Sequence, residues 1–450
     1  MTATAPPGFT GAQFLSLHAL DTLVGACPVR DDNNNPKTLQ FGGESRHLMT
    51  AQNRRRAERT HTRNRANQGI GPLAGYSMGV RTREWALMTA VSLREQGWED
   101  TPGTDALAVA RAVLAGCGLN FGAERTENLT KVLIFAPQEA PADIAAVLTK
   151  NRQSVEDWIA EIDAKREKDL KVKVARGTKK TAPAEEEAAA DTKAPPLPAA
   201  VKAGILAALA PADAIDIALY GRFLAEIAQS PNVDGAIQTG PAFTVHALEE
   251  TQDFYSAADD AKLDRKAAPR PTDALAYLDA AAADSGAGMT GYQTLISGTF
   301  YRHAALDRWQ LRHNLLASGN SVELVEAMSA AAEHAFIEAF IDAVSASKKN
   351  TTAAPGSLPK LVLAFDGDRP FNYANTFERT IEPTVADPSS LRAARRLLAQ
   401  HRLVTTKRPD IRPGRVLTYD LDVQELLDQL AAEGILVPAQ ADSVEGLTHP

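Results

Sequence analysis

Cysteine is nearly absent: Cys27 and Cys117 are the only two in 450 residues. Two thiols make neither a disulfide framework nor a thiolate zinc cluster. Long uncharged apolar runs are also missing, and no stretch approaches the ~18 residues that a membrane-crossing helix needs. Met1 to Thr10 carries no positive region followed by an apolar run, so no signal peptide is expected and a cytoplasmic protein fits best. There is no tandem repeat. His18, His246, His303 and His313 are spaced too irregularly for a metal motif, and no nucleophile lies beside a base. No catalytic residue, metal or cofactor is therefore expected. The formal net charge of -8 argues against coating nucleic acid with the whole surface, but it permits confined basic grooves.

What the chain does have is locally concentrated positive charge. Lys37, Arg46, Arg54, Arg55, Arg56, Arg59, Arg63 and Arg65 lie in one segment with only Glu44 and Glu58 against them. Such an excess on an acidic chain points to a polyanion, most simply a nucleic acid backbone. A helix is predicted from about Thr50 to Asn64, with Thr50 as its N-cap. Arg55, Arg59 and Arg63 then recur every four residues and share one face, and Arg56 broadens the stripe. The competing reading is a solvated helix face. A second basic stretch, Arg392 to Arg415, carries eight Lys/Arg against Asp410. It could meet RNA, DNA or a neighbouring subunit.

A chain of this length divides into two or three units. Strands are predicted over Phe14–Leu20, Lys131–Phe135 and Lys360–Phe365, and in the alternating segment from Leu295 to Leu306. Helices are predicted over Arg83–Glu95, Thr104–Leu114, Pro141–Asp169, Val322–Val344 and Leu421–Leu430. The Val322 helix would bury Leu324, Val325, Met328, Phe336 and Phe340. Strand and helix are both expected around Gly221. Lys171 to Ala200 is rich in Lys, Ala, Glu and Pro, has little to bury, and reads as a mobile excursion. Asp253 to Ala283 reads as an acidic peripheral insertion, and Gly286-Ala287-Gly288-Met289 as a turn. Strands and helices in no regular βαβ series favour an α+β fold with insertions.

Several segments carry a resemblance. Phe14-Leu15-Ser16-Leu17-His18 leads to Arg30-Asp31-Asp32, Pro36-Lys37-Thr38, Phe41-Gly42-Gly43, Arg46 and Gln52. Further on come Ala218-Leu219-Tyr220-Gly221-Arg222, Asn232-Val233-Asp234-Gly235, Thr244-Val245-His246, Asp253-Phe254-Tyr255, Gly286-Ala287-Gly288-Met289 and Gly298-Thr299-Phe300-Tyr301-Arg302. Together they resemble the backbone (CasC-type) subunit of type I-E CRISPR Cascade complexes, over roughly Phe14 to Leu316.

The resemblance implies a modified RRM/ferredoxin-like palm with helical finger and thumb insertions. Residues 1–50, 201–320 and 321–450 would build the palm and 51–200 the fingers, with the thumb hairpin within Ala200 to Gly240. Copies would stack head to tail along a CRISPR guide RNA (crRNA) and present it to target DNA. The implied partners are the large, small, RNA-processing and 5'-handle-capping subunits, with no membrane. The implied RNA-binding residues are Arg30, Lys37, Arg46, Gln52, Arg54, Arg55, Arg56, Arg59, Arg63, Gly286, Gly288 and Met289. The chain departs from the family's pattern where a serine pair is replaced by Thr50-Ala51 and a lysine-arginine pair by Arg55-Arg56. Gly42 and Gly43 would let backbone approach RNA closely, and Phe41 would either stack or fill the core, the core being favoured.

Two alternatives stay open. Type III backbone subunits use a loop acidic residue in metal-dependent cutting of target RNA, a role that Asp31 or Asp32 could take. A single-strand RNA-binding module without a filament is the other.

Overall fold

The computed structural model describes residues 5–6, 9–101, 104–177, 195–211, 214–224, 232–258, 260, 287–343, 345, 347, 349–353 and 358–448. The strands in chain order are β1 (Phe14–Ala26), β2 (Thr38–Phe41), β3 (Glu44–Met49), β4 (Gly79–Thr82), β5 (Ile134–Pro137) and β6 (Ile237–Thr239). They continue with β7 (Ala242–Thr244), β8 (Glu250–Ala258), β9 (Ala287–Asp307), β10 (Leu361–Gly367), β11 (Arg415–Leu417) and β12 (Ala439–Gln440). The helices are α1 (Ala51–Asn67), α2 (Trp85–Glu95), α3 (Ala106–Gly116), α4 (Ala140–Lys150), α5 (Arg152–Gly177) and α6 (Ala199–Ala208). After these come α7 (Ile215–Tyr220), α8 (Arg308–Ala317), α9 (Val322–Asp342), α10 (Lys349–Thr352), α11 (Ser389–Lys407) and α12 (Leu421–Ala432). None of the described helices is long and apolar enough to cross a membrane.

The chain forms two compact units. One comprises Met1–Phe9, Thr62–Ala236 and Arg308–Ala335, and the other Thr10–His61, Ile237–Asp307 and Phe336–Pro450. Residues 201–236, expected with the palm, thus cluster with the helical unit.

The large sheet belongs wholly to the second unit. Its order is β12-β11-β10-β1-β9-β7-β3-β2, with β6 and β8 also paired to β9. Every pairing is antiparallel except that of β11 with β12. β1 lies between β10 and β9 with both faces covered, so apolar residues fall on both faces and the polar Ser16, His18 and Asp21 among them are buried as well. Leu20 stands opposite Tyr301 and Leu361. On that face Leu20, Tyr301, Leu363 and Phe365 pack with Ala393, Ala394 and Leu397 of α11 and with Val423 and Leu427 of α12. Each such leucine or phenylalanine contributes on the order of 2–3 kcal/mol by leaving water.

The next residue along each strand turns to the other face. There Arg302 Nη2 donates to Asp21 Oδ1 at 3.0 Å. Its guanidinium also donates to the Phe340 carbonyl and lies 4.4 Å from the centre of the Phe340 ring.

The first unit is mainly helical. Trp85 of α2, Val109 and Val113 of α3, Ile144 and Leu148 of α4, Trp158 of α5 and Val201 and Ile205 of α6 share one core. Asp105 caps α3 by accepting from the Leu107 and Ala108 amides. The buried Asp216 accepts from the Gly79 amide at 2.6 Å and anchors β4. Asn314 of α8 donates to the Ala218 and Asp234 carbonyls. Arg222, part of the resemblance motif, is buried and donates to the Leu209 carbonyl at 2.5 Å. Gly221 ends α7 at φ +78, and a Cβ there would lie 2.6 Å from the Gly235 amide. That motif is therefore framework.

Several expectations are corrected. Pro141–Asp169 is two helices, because Asn151 leaves helical geometry and its amide caps the Val147 carbonyl. The segment before Gly221 is helix alone, and Leu324 is 44% exposed because the buried stripe of α9 runs through Val325, Met328, Ala332 and Phe336. Residues 253–258 are strand, and Ala287 to Met289 already belong to β9 instead of a turn. Gly286 and residues 259 and 261–285 lie outside the described residues, as do 178–194 of the expected excursion, whose residues 171–177 continue α5 and whose residues 199–200 open α6.

Candidate nucleic-acid interface

Helix α1 begins where sequence places it, with Thr50 Oγ1 accepting from the Asn53 amide at 3.3 Å. Arg54, Glu58, Thr62 and Ala66 form its buried stripe at four-residue spacing. Gln52 and Arg56 are exposed, and Arg55, Arg59 and Arg63 are half-buried along one flank. Among the described residues neither Arg56 nor Arg63 has a carboxylate partner. Sequence reasoning thus identified the face through Arg55, Arg59 and Arg63, but not that Arg54 points inward.

Arg54 donates to Glu58 Oε1 at 3.3 Å and to the Phe340 carbonyl at 3.4 Å. Burial pushes its guanidinium down to about 10 and pushes the Glu58 carboxyl up. Desolvation outweighs attraction in both, as is usual of buried pairs. Arg46 is likewise fully buried and donates to the carbonyls of Thr244 (2.9 Å), Phe377 (3.1 Å) and Glu378 (3.0 Å). Both guanidiniums are spent on the fold, and neither is offered to a ligand here.

The loop before β2 carries Arg30, Asp31, Asp32 and Lys37. Arg30 is exposed, and its Nη1 donates to Asn34 Oδ1 at 3.3 Å. Lys37 is half-buried, and its backbone joins the Val29 carbonyl and the Leu48 amide. Asn53 Nδ2 donates to Ser345 Oγ (3.1 Å), which donates to the Pro28 carbonyl (2.9 Å). Ser345 therefore ties this loop to the first turn of α1, which also carries Gln52. Asp31 Oδ1 accepts from the Asn33 and Asn35 amides at 2.9 Å each, so this carboxylate organises the turn. Among the described residues no group of three or more His, Cys, Asp or Glu is placed to hold a metal ion.

Gly42 and Gly43 form the β2–β3 turn at φ +65 and +85. A Cβ on Gly42 would lie 1.8 Å from the Glu378 carbonyl oxygen. Turn and packing, not an approaching strand, account for that glycine. Gly42→Ala is expected to destabilise by more than ~1 kcal/mol in thermal melts, and an unchanged midpoint would refute this. Phe41 sets its edge against Phe243 at 5.3 Å and packs on the core.

Met289 opposes Ala257 on a two-stranded ribbon, where among the described residues β8 pairs with β9 alone. Phe254, Tyr255, Met289 and Tyr292 are all exposed on it. The Phe254 and Tyr292 rings meet across the strands at 5.3 Å. The Tyr255 ring covers Gly291, where a Cβ would come within 2.6 Å of its Oη. These aromatics were missed as site residues; the signal was their occurrence in a polar segment with nothing to bury them.

These features define an α+β protein with a broad antiparallel sheet, a cationic helix and an exposed aromatic ribbon. The family model described as "CT1975-like protein" matches residues 15–410, and the chain belongs to that family. A solved structure titled "CRISPR RNA-guided surveillance complex, pre-nicking" contains a chain that is 26% identical, with a TM-score of 0.69. The match covers 97% of this chain and 99% of that one. A second, titled "CRISPR RNA-guided surveillance complex", is 24% identical with a TM-score of 0.62, covering 97% and 98% of the two chains, and shows the fold alone. No curated protein matches.

Proposed function

We propose that this chain is the guide-RNA-binding backbone subunit of a type I-E Cascade complex. The observation that carries the reading is the end-to-end similarity to a chain of an RNA-guided surveillance complex. The cationic flank of α1 agrees with it. In this reading the sheet-bearing unit is a modified RRM-like palm, the helical unit the fingers, and the β8–β9 ribbon the thumb. That places the thumb later than the expected Ala200–Gly240. Gln52, Arg55, Arg56, Arg59 and Arg63, with Arg30 and Lys37 of the tied loop, hold phosphates without reading bases. Gly288 and Met289 reach the strand from the ribbon. Pairing with target DNA carries the specificity.

Head-to-tail contacts do not close, so guide length and the capping, large, small and RNA-processing subunits limit the filament. The protein works in the cytoplasm as a scaffold without catalysis. Asp31 Oδ1 serves its own turn, and among the described residues no cluster of His, Cys, Asp or Glu is placed to hold a metal ion, which weighs against the nuclease alternative.

Co-expression with repeat–spacer RNA and native mass measurement test the proposal. The number of copies should rise with spacer length, and a fixed one-to-one complex would favour the isolated RNA-binding module. Magnesium-dependent cleavage of labelled target RNA, lost in Asp31→Ala or Asp32→Ala, would favour the nuclease. The double variant Arg56→Ala/Arg63→Ala should weaken unrelated RNA sequences similarly and lower the salt slope by roughly 0.7 per lost contact. Loss confined to one sequence would contradict phosphate binding.

A further inference from the structure

The second basic stretch has a definite place in the fold. Helix α11 contains no acidic residue. It buries Ala393, Ala394, Leu397, Leu398 and His401 against the sheet. Its outer side carries Arg392, Arg395, Arg396, Arg402 and Lys407, with Ala399, Leu403 and Thr406 between them. From Arg392 to Lys407 the row extends about 22 Å along the axis. Asp387 engages Arg392 (3.2 Å) and Arg395 (3.4 Å), and Arg396 donates to the Arg379 carbonyl at 3.1 Å. Arg402 and Lys407 are exposed, and among the described residues neither has a carboxylate partner.

Strand register fixes which way this face looks. Leu20 and Tyr301 point to the α11 side, where Thr299 Oγ1 also meets Ser389 Oγ at 2.8 Å. Asp21 and Arg302, one residue along, point to the other side, where the Phe340 carbonyl receives both Arg302 and Arg54 of α1. The two cationic helices therefore lie on opposite faces of one sheet. A strand lying along α1 does not also lie along α11.

We propose that the outer face of α11 binds the phosphate backbone of double-stranded DNA, separately from the strand on α1. Guanidinium and ammonium groups spread along about 22 Å of one broad helix face match a stiff rod of phosphates. Sites for single strands add aromatic rings on which bases stack; neither helix carries one, and in the function proposed above the RNA site draws its rings from the β8–β9 ribbon. The contact is independent of sequence and holds duplex beside the complex. The separation from RNA rests on the function proposed above, whereas duplex binding itself does not.

The test uses the full chain and fluorescence anisotropy at several salt concentrations. One probe is a 30-base-pair DNA duplex and the other a single-stranded RNA. Arg402→Gln/Lys407→Gln should weaken duplex binding roughly tenfold and lower its salt slope by about 2, leaving RNA binding within twofold. Arg56→Gln/Arg63→Gln should do the reverse. Arg56, Arg402 and Lys407 are exposed and Arg63 is half-buried, and matched melting curves identify the folded variants. Absence of duplex binding by the native chain, or unchanged duplex affinity and slope in the α11 variant, overturns the proposal. So does an equal loss of RNA binding in that variant. If the α1 variant alone fails to affect RNA, the function proposed above falls and the duplex site stands.

Discussion

Arg302→Leu is expected to destabilise the sheet-bearing unit by about 3–5 kcal/mol, the range for stripping one partner from a buried ion pair. Arg302 is 2% exposed and Asp21 9%. With the guanidinium gone, Asp21 keeps a charge inside the sheet face. Of its two guanidinium donors the Phe340 carbonyl keeps the longer bond, from Arg54 at 3.4 Å. The cation also leaves the Phe340 ring. The double variant Asp21→Leu/Arg302→Leu should recover much of the loss, because two apolar groups of similar volume leave no orphan charge. Urea unfolding of the full chain measures both. A loss below 1 kcal/mol in the single variant, or a double variant no better than the single, would count against this account.

This network also marks the limit of what the sequence made legible. The apolar run of β1, the long α9 pattern and the Thr50 cap are local signals, and the structure carries all three. Arg46 and Arg54 carry the same local signal as Arg56. Which way each points depends on acceptors at Thr244, Phe377 and Phe340, some two to three hundred residues away. Charge density found the cationic helix, but helical spacing alone did not separate its buried flank from its open one. The ribbon was lost for a related reason. Phe254, Tyr255 and Tyr292 sit among polar residues of two strands far apart in sequence, and their lack of a core beneath them appears only once β8 is seen to pair with β9. In the same way, the position of α11 opposite α1 follows from register between strands distant in sequence.

Acidification from pH 7 to 4.5 is expected to remove a large share of the stability of the sheet-bearing unit, through three buried histidines on the α11 side. His18 Nδ1 lies 2.9 Å from Tyr301 Oη. That hydroxyl donates to Asn372 Oδ1 and accepts from the Tyr373 amide, so His18 donates from Nδ1 and is neutral. His401 Nε2 faces the Pro413 carbonyl at 2.8 Å, which can only accept. Its Nδ1 therefore accepts from Tyr373 Oη at 2.9 Å. A second proton on His18 Nε2 meets no acceptor, and one on His401 Nδ1 would force the Tyr373 hydroxyl to give up its donor role. The His303 ring stands 4.9 Å from His18, which opposes charge on both. Burial, aided by its histidine neighbours, pushes His18 well down, and burial pushes His303 and His401 each down to about 4. The folded values lie below the unfolded 6.5, so the unfolded chain binds more protons between about pH 6.5 and 4. Stability is complete above that window and falls as pH drops through it, by about 3 kcal/mol for each of His303 and His401 over its full span. His401→Gln cannot titrate. It should cost about 1–2 kcal/mol at pH 8 through weakened hydrogen bonds, yet flatten the dependence of stability on pH between 6.5 and 4.5. Urea midpoints across that range decide it, and an undiminished slope in the variant would show that acid acts through other groups.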